Sequence, residues 1–372
     1  MGTVACAALL EILPAIAERE RDDPEAFPAE TVSALFDAGV LAAPFSSNVG
    51  GSGSTLSESV ADIEAIATAS PSAALIAAMP LGFAGIFGLG PDVAPDQHRA
   101  SFAEQIDRVA ADYRDRRIYA ACNSEKGAGG SLDATKTVAV KGSDDRFLIS
   151  GEKILASSGR NASTFVSTAK ISQDDLPGAG IVEFFLIDAD GSGVEILDDW
   201  DGFGMRATES QTVRYDDAPT RELMGFPDFI NVVQPLSYFY LLFAAIPLGC
   251  AKAILEATGT PTPQSPALRL RLSEAVMRYE AMRAYLDDTA RGFRPAAGPK
   301  YAARVLRAKT YVSQEATKLC AELFALGGGR NYRRSSTVAR TLADSFAGTA
   351  LRPPLALALE KMVEEFSLGD AA

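Results

Sequence analysis

Three short stretches concentrate the residue types that handle ligands. The first, Asn123-Ser124-Glu125-Lys126-Gly127-Ala128-Gly129-Gly130-Ser131, places three glycines within four positions. Backbone lacking Cβ atoms can approach a ligand closely, and its N–H groups can meet an oxygen-rich group. A hairpin tip has the same composition, so this stretch alone leaves both uses open. The second, Gly151-Glu152-Lys153-Ile154-Leu155-Ala156-Ser157-Ser158-Gly159, runs an apolar segment into paired serines, a polar edge beside an apolar floor. A plain turn would read the same way. The third runs from Trp200, the only tryptophan, through Gly202, Phe203 and Gly204 to Met205-Arg206-Ala207-Thr208-Glu209-Ser210. The alternating Thr212-Val213-Arg214-Tyr215 then follows.

Other chemistries are excluded by what the chain lacks. It has one histidine, His98, in the polar run Pro95-Asp96-Gln97-His98-Arg99, which reads as surface. A two-histidine metal site is therefore impossible, and a Ser-His-Asp triad would have to use His98. Cys6, Cys122, Cys250 and Cys320 are far apart and fit inert thiols in a reducing compartment. A net charge of −13, spread along the chain, opposes nucleic acid and anionic membrane surfaces as partners. The N-terminal apolar run lacks a basic segment and carries Glu11, unlike a secretory signal. Residues 235–254 are about long enough to cross a bilayer, but with Pro247 and Lys252 inside they read as a buried central helix. The expected location is cytoplasmic.

The elements that must position these stretches come in three blocks. Residues 1–117 read as an N-terminal helical domain, with helices around Glu30–Phe36, Ser57–Thr68, Pro71–Phe87 and 97–113. Residues 118–221 change period. The alternating Thr137–Lys141, a turn at Gly142-Ser143-Asp144-Asp145, and Phe147–Ile149 ending at Gly151 read as a hairpin. Further strands at Thr164–Thr168, Ile181–Ile187 and Gly193–Leu197 predict an antiparallel β-barrel or sandwich. Residues 222–372 return to the helical period, with segments near 228–258, 265–292, 297–326 and 353–366 predicting a four-helix bundle. Val305, Ala308, Val312, Ala316, Leu319 and Leu323 form one apolar stripe. The fold class is α+β.

Taken in order, these stretches resemble the acyl-CoA dehydrogenase superfamily. Ser124–Gly130 resembles its T-E-P-G-A-G-S pattern, Gly151–Ser157 its G-x-K-x-W-I-T, and Gly204–Ser210 its L-G-M-R-x-T-x-S. Gly328-Gly329-Arg330-Asn331-Tyr332 resembles its G-G-x-G-[FY] turn. The resemblance covers nearly the whole chain and implies FAD as cofactor, an acyl-CoA or other small molecule as substrate, and a homotetramer or homodimer. By motif position, Ser124 and the backbone of Asn123, Gly129 and Gly130 would face the flavin and its phosphates. Leu155 would take the place of a tryptophan against the ring, and Ser157 that of a threonine bonded near N5. Gly328 and Gly329 would meet the flavin nucleotide of a neighbouring subunit, and the Gly204–Thr208 turn would be a structural corner.

The resemblance breaks at the catalytic base. Family dehydrogenases remove an α-proton with a glutamate held in an apolar pocket. Asp344 matches the aspartate that precedes this glutamate, yet no acid occurs between Asp344 and Glu360. An ungapped count puts Arg352 at the glutamate position, and the E-G-T pattern puts Ala347 there. The alternative position on the first bundle helix falls on Phe239. The family's R-x-x-F-G segment is also missing, and its glutamine before the G-G turn is Ala325. Three readings stay open: a thioester dehydrogenase whose base comes from elsewhere, a flavin monooxygenase or oxidase, and a non-catalytic binding or assembly subunit. The Ser157-Ser158-Gly159 turn resembles the S-G of the oxygenating members, although they often use a bundle histidine that this chain lacks.

Overall fold

The computed structural model describes residues 3–143, 146–260 and 264–367. Five helices come first: α1 (Ala7–Asp22), α2 (Ala29–Asp37), α3 (Leu56–Ala69), α4 (Pro71–Phe87) and α5 (Arg99–Arg114). Thr55 and Glu58 start α3 with a reciprocal capping box. Ser70 caps α4, with Pro71 in its first turn, and every residue of α4 is buried.

Eight strands follow: β1 (Tyr119–Cys122), β2 (Val138–Lys141), β3 (Phe147–Ala156), β4 (Thr164–Lys170), β5 (Val182–Asp188), β6 (Val194–Ile196), β7 (Gln211–Pro219) and β8 (Glu222–Leu223). They form one curled sheet in the order β6-β7-β3-β2-β4-β5-β8, with β1 on β4. Most pairs are antiparallel, as expected, but β1 and β2 both run parallel to β4. The β2–β3 hairpin lies between β1 and β4 in the chain and returns it in the same direction. The turn residues Asp144 and Asp145 lie outside the described residues. Gly151 does not end the hairpin strand: β3 runs on to Ala156, bending where its register with β7 shifts. Side-chain alternation then divides the sheet's two faces. Phe165, Phe185 and Ile187 enter the sheet's own core, while Val166, Phe184 and Leu186 face the helices.

The C-terminal helices are α6 (Phe229–Val233), α7 (Leu236–Gly259), α8 (Pro266–Arg291), α9 (Pro299–Leu326), α10 (Thr337–Ser345), α11 (Ala347–Ala350) and α12 (Leu355–Ser367). The stripe from Val305 to Leu323 is buried along α9, which packs on α7 and α8. Helix α7 is long and apolar enough to cross a membrane, but 78% of its apolar window is buried inside the protein. It packs on α3 and α4 as well as on α9. The N- and C-terminal helices therefore share one core.

One ion pair inside the sheet stands out. The Lys153 ammonium meets Glu125 at 2.7 Å with both side chains buried. Glu125 also accepts from the backbone N–H groups of Lys136 (2.6 Å) and Thr137 (3.1 Å) and from the Thr137 hydroxyl (2.8 Å). Burial works against the Glu125 charge, but Lys153 and these N–H donors outweigh it and bring its pKa down to about 2. Removing one member strands the other. Lys153→Met should therefore cost about 3–5 kcal/mol in urea unfolding, and the Glu125→Gln/Lys153→Met double variant less than the sum of its single changes.

Candidate functional site

Between the sheet and the helices lies a cavity of about 300 Å3, mainly apolar. Helix α4 contributes Leu75, Met79 and Phe83, and α7 contributes Leu236, Phe239, Tyr240 and Phe243. Phe239 stacks edge-on to Phe83 at 4.9 Å. A Cβ on Gly82 would lie 2.2 Å from the Phe239 ring, so the ring is seated on bare helix backbone. At the mouth, the exposed Phe203 and Phe346 meet edge to face. Trp200 lines the same space and donates its indole N–H to the carbonyls of Met205 and Arg206.

The sheet supplies the polar edge. Asn123 and Ser124 follow β1, while Leu155 and Ser157 lie at the end of β3, and all four line the cavity. Their two segments are joined by the Ile154 N–H donating to Ser124 O at 2.8 Å. Leu155 has φ +60° and is half exposed. It falls where the β3–β7 register shifts between Lys153 and Ala156. Such an irregularity re-aims a side chain, here presenting an apolar floor to the cavity. The Asn123 Oδ1 acceptor is buried without a partner among the described residues.

Ser157 has a defined polarity. The Thr208 hydroxyl donates to Met205 O at 2.8 Å, which commits its single proton. Ser210 must then donate to Thr208 (2.7 Å), and Ser157 to Ser210 (3.0 Å). The Ser157 oxygen is left with lone pairs free to accept.

The other expected contacts lie elsewhere. Gly129 and Gly130 do not line the cavity. A Cβ on Gly130 would lie 2.4 Å from Pro354 Cδ, so its bareness admits the segment before α12. Gly328 and Gly329 form a turn at the end of α9 where an added Cβ would meet nothing within 4 Å. Arg206 is half exposed and pairs with Glu25 at 3.2 Å, as befits a structural corner.

The chain matches the acyl-CoA dehydrogenase N-terminal domain over residues 3–93, the middle domain over 120–218 and the C-terminal domain over 253–351. The chain belongs to the acyl-CoA dehydrogenase family. It is 25% identical over 342 residues to the probable acyl-CoA dehydrogenase YngJ of Bacillus subtilis, covering 86% of this chain and 84% of that protein. Its fold is shared with the nitrososynthase of Micromonospora carbonacea (TM-score 0.83, 21% identical, 99% of this chain and 100% of that one). It is likewise shared with FMN-bound TdsC of Paenibacillus (TM-score 0.80, 20% identical, 96% of each chain).

Within this family frame, the cavity gathers every position at which a base was expected. Arg352, Ala347 and Phe239 all line it, and among the described residues no carboxylate does. Asp344 stands behind the wall instead, accepting the Met205 N–H at 2.6 Å. It ties the corner turn to α10. Burial raises its carboxyl to about 6, with the Met205 N–H opposing. The folded state therefore binds more protons than the unfolded chain between about pH 4 and 6, and stability falls as pH rises through that window. Asp344→Asn keeps an acceptor and removes the penalty. Its melting temperature relative to wild type should rise from pH 4 to pH 7, by an equivalent of roughly 1–3 kcal/mol, as calorimetry at the two pH values would show.

Proposed function

We propose that this protein is a flavin-dependent oxidoreductase that oxygenates a small, largely apolar substrate. The observation that carries this reading is the cavity wall. Arg352, Ala347 and Phe239 stand at the positions where a dehydrogenase would place its carboxylate, and no described residue supplies one. Abstraction of an α-proton needs a base within hydrogen-bond reach. Oxygenation through reduced flavin has no such requirement.

The residues present fit the flavin ring. Leu155 offers an apolar floor, Asn123 Oδ1 an unused acceptor, and Ser157 an oxygen oriented to accept. When bound, flavin supplies two-electron redox chemistry and, once reduced, reaction with oxygen. The chain's own part is to hold the ring edge with Asn123 and Ser157, to exclude water with the aromatic wall, and to orient the substrate. Less is offered to an adenosine half. Ala325 replaces the family's glutamine, and Gly130 is occupied by Pro354. FMN and FAD both suit such a site, and a homo-oligomer would bring Gly328 and Gly329 toward a neighbour's nucleotide.

A second reading, thioester dehydrogenation, is favoured by the similarity to YngJ along most of both chains. The two are separable. The apoprotein should take up FMN with an affinity within about tenfold of FAD, since little holds the extra half (about 1.4 kcal/mol). Loaded protein mixed anaerobically with an acyl-CoA panel should keep its visible flavin band. With reduced flavin and indole as an aromatic probe, an oxygen atom from O2 should appear in the indole product, and the yield of hydrogen peroxide should fall below that without indole. Bleaching by an acyl-CoA would replace this reading with the dehydrogenase, and the absence of flavin binding at tens of micromolar would remove both.

A further inference from the structure

Arg352 brings a positive charge to a cavity that does not compensate it. Its Nη2 donates to the Asn123 carbonyl at 3.1 Å. Its Nη1 is buried and has no partner among the described residues. Glu125 is the acid that acts on it, and Lys153 already neutralises Glu125 at 2.7 Å. The nearby Tyr240 phenol stays neutral, because burial raises its pKa to about 12. The backbone on either side of Arg352 is fixed, since Lys309 donates to the carbonyls of Leu351 (2.7 Å) and Pro353 (2.8 Å). The guanidinium is thus held in place with an idle donor.

An unpaired guanidinium among apolar side chains is unfavourable until an anionic oxygen reaches it. We propose that Arg352 anchors the substrate, and that the cavity takes a small aromatic or aliphatic molecule carrying a carboxylate. The Arg352 guanidinium, which lines the cavity, donates to the carboxylate while Phe83 and Phe239 enclose the apolar body. This rests on the cavity being the substrate site, whichever reaction follows.

Trp200 is the chain's only tryptophan and lines the cavity, so its fluorescence reports occupancy. Benzoate and benzamide share size and shape and differ in charge. Wild type should bind benzoate about tenfold or more tighter than benzamide, the difference expected of a charge-assisted hydrogen bond. Arg352→Lys should keep part of this preference. Arg352→Met, shown by its melt to be folded, should lose it while still taking up flavin, read by visible absorbance. Equal wild-type affinities for the two probes would overturn the proposal, and that comparison needs no variant to fold. A preference that survives in Arg352→Met would also overturn it. So would loss of flavin uptake in that variant with the preference intact, because the guanidinium would then serve the cofactor. Wild-type protein that takes up no flavin would remove the redox reading, while the benzoate preference would still decide the role of Arg352.

Discussion

The buried Lys153–Glu125 pair is the constraint on which the site geometry depends. Each partner belongs to one of the two ligand-handling stretches: Glu125 follows Ser124, and Lys153 precedes Leu155 and Ser157 by two and four positions. Taking two charges out of water is expensive, and their attraction offsets this only when the remaining hydrogen-bonding capacity is also met. Here it is. Glu125 accepts from Lys136, Thr137 and Lys153, while the ammonium also donates to Thr168 at 3.2 Å. Any shift of β3 against the loop after β1 would break several of these bonds together. The pair therefore converts two separate motifs into a single surface with Asn123, Ser124, Leu155 and Ser157 in fixed relation.

The Ser157–Ser210–Thr208 chain adds direction to that surface. Its protons run one way because the last acceptor is a carbonyl that cannot donate. Polarity at the cavity edge is consequently set by the corner turn, whose Met205 N–H is in turn held by Asp344. The wall of the cavity is thus tied to the bundle through α10 as well as through the aromatic packing of α4 on α7.

Much of this was legible in the sequence because periodicity and motif order are local signals. The α9 stripe depends only on 3.6-residue spacing, and it is buried as written. The three stretches and their order sufficed to bring Asn123, Ser124, Leu155 and Ser157 to one place. What escaped depends on distant partners. Nothing near Lys153 in the chain shows that it is buried, since Glu125 lies 28 residues away. The parallel β1 has only four residues, too few to show a period, and its partner β4 lies more than 40 positions further on. Gly130 shows why glycine is an ambiguous sign. The missing Cβ makes room for Pro354, more than 200 positions further on, and a ligand would have required the same vacancy. Helix α10 is only nine residues long, too short for its period to stand out in the sequence.

An arginine at position 352 changes more than the supply of a base. A carboxylate in an apolar cavity is kept ready to take a proton, and burial raises its pKa toward that task. Burial acts on Arg352 in the opposite direction, pulling its pKa below the ordinary value, yet a guanidinium starts so high that it stays charged at any working pH. It can orient or neutralise an anion but cannot accept a proton. Phe239 and Ala347 add no titratable group. Among the described residues the cavity offers hydroxyls and the Asn123 amide but no side chain that takes up a proton near neutral pH, while Arg352 gives it a place for negative charge. A site with that balance selects its ligand by charge and shape and leaves electron transfer to whatever redox group it holds.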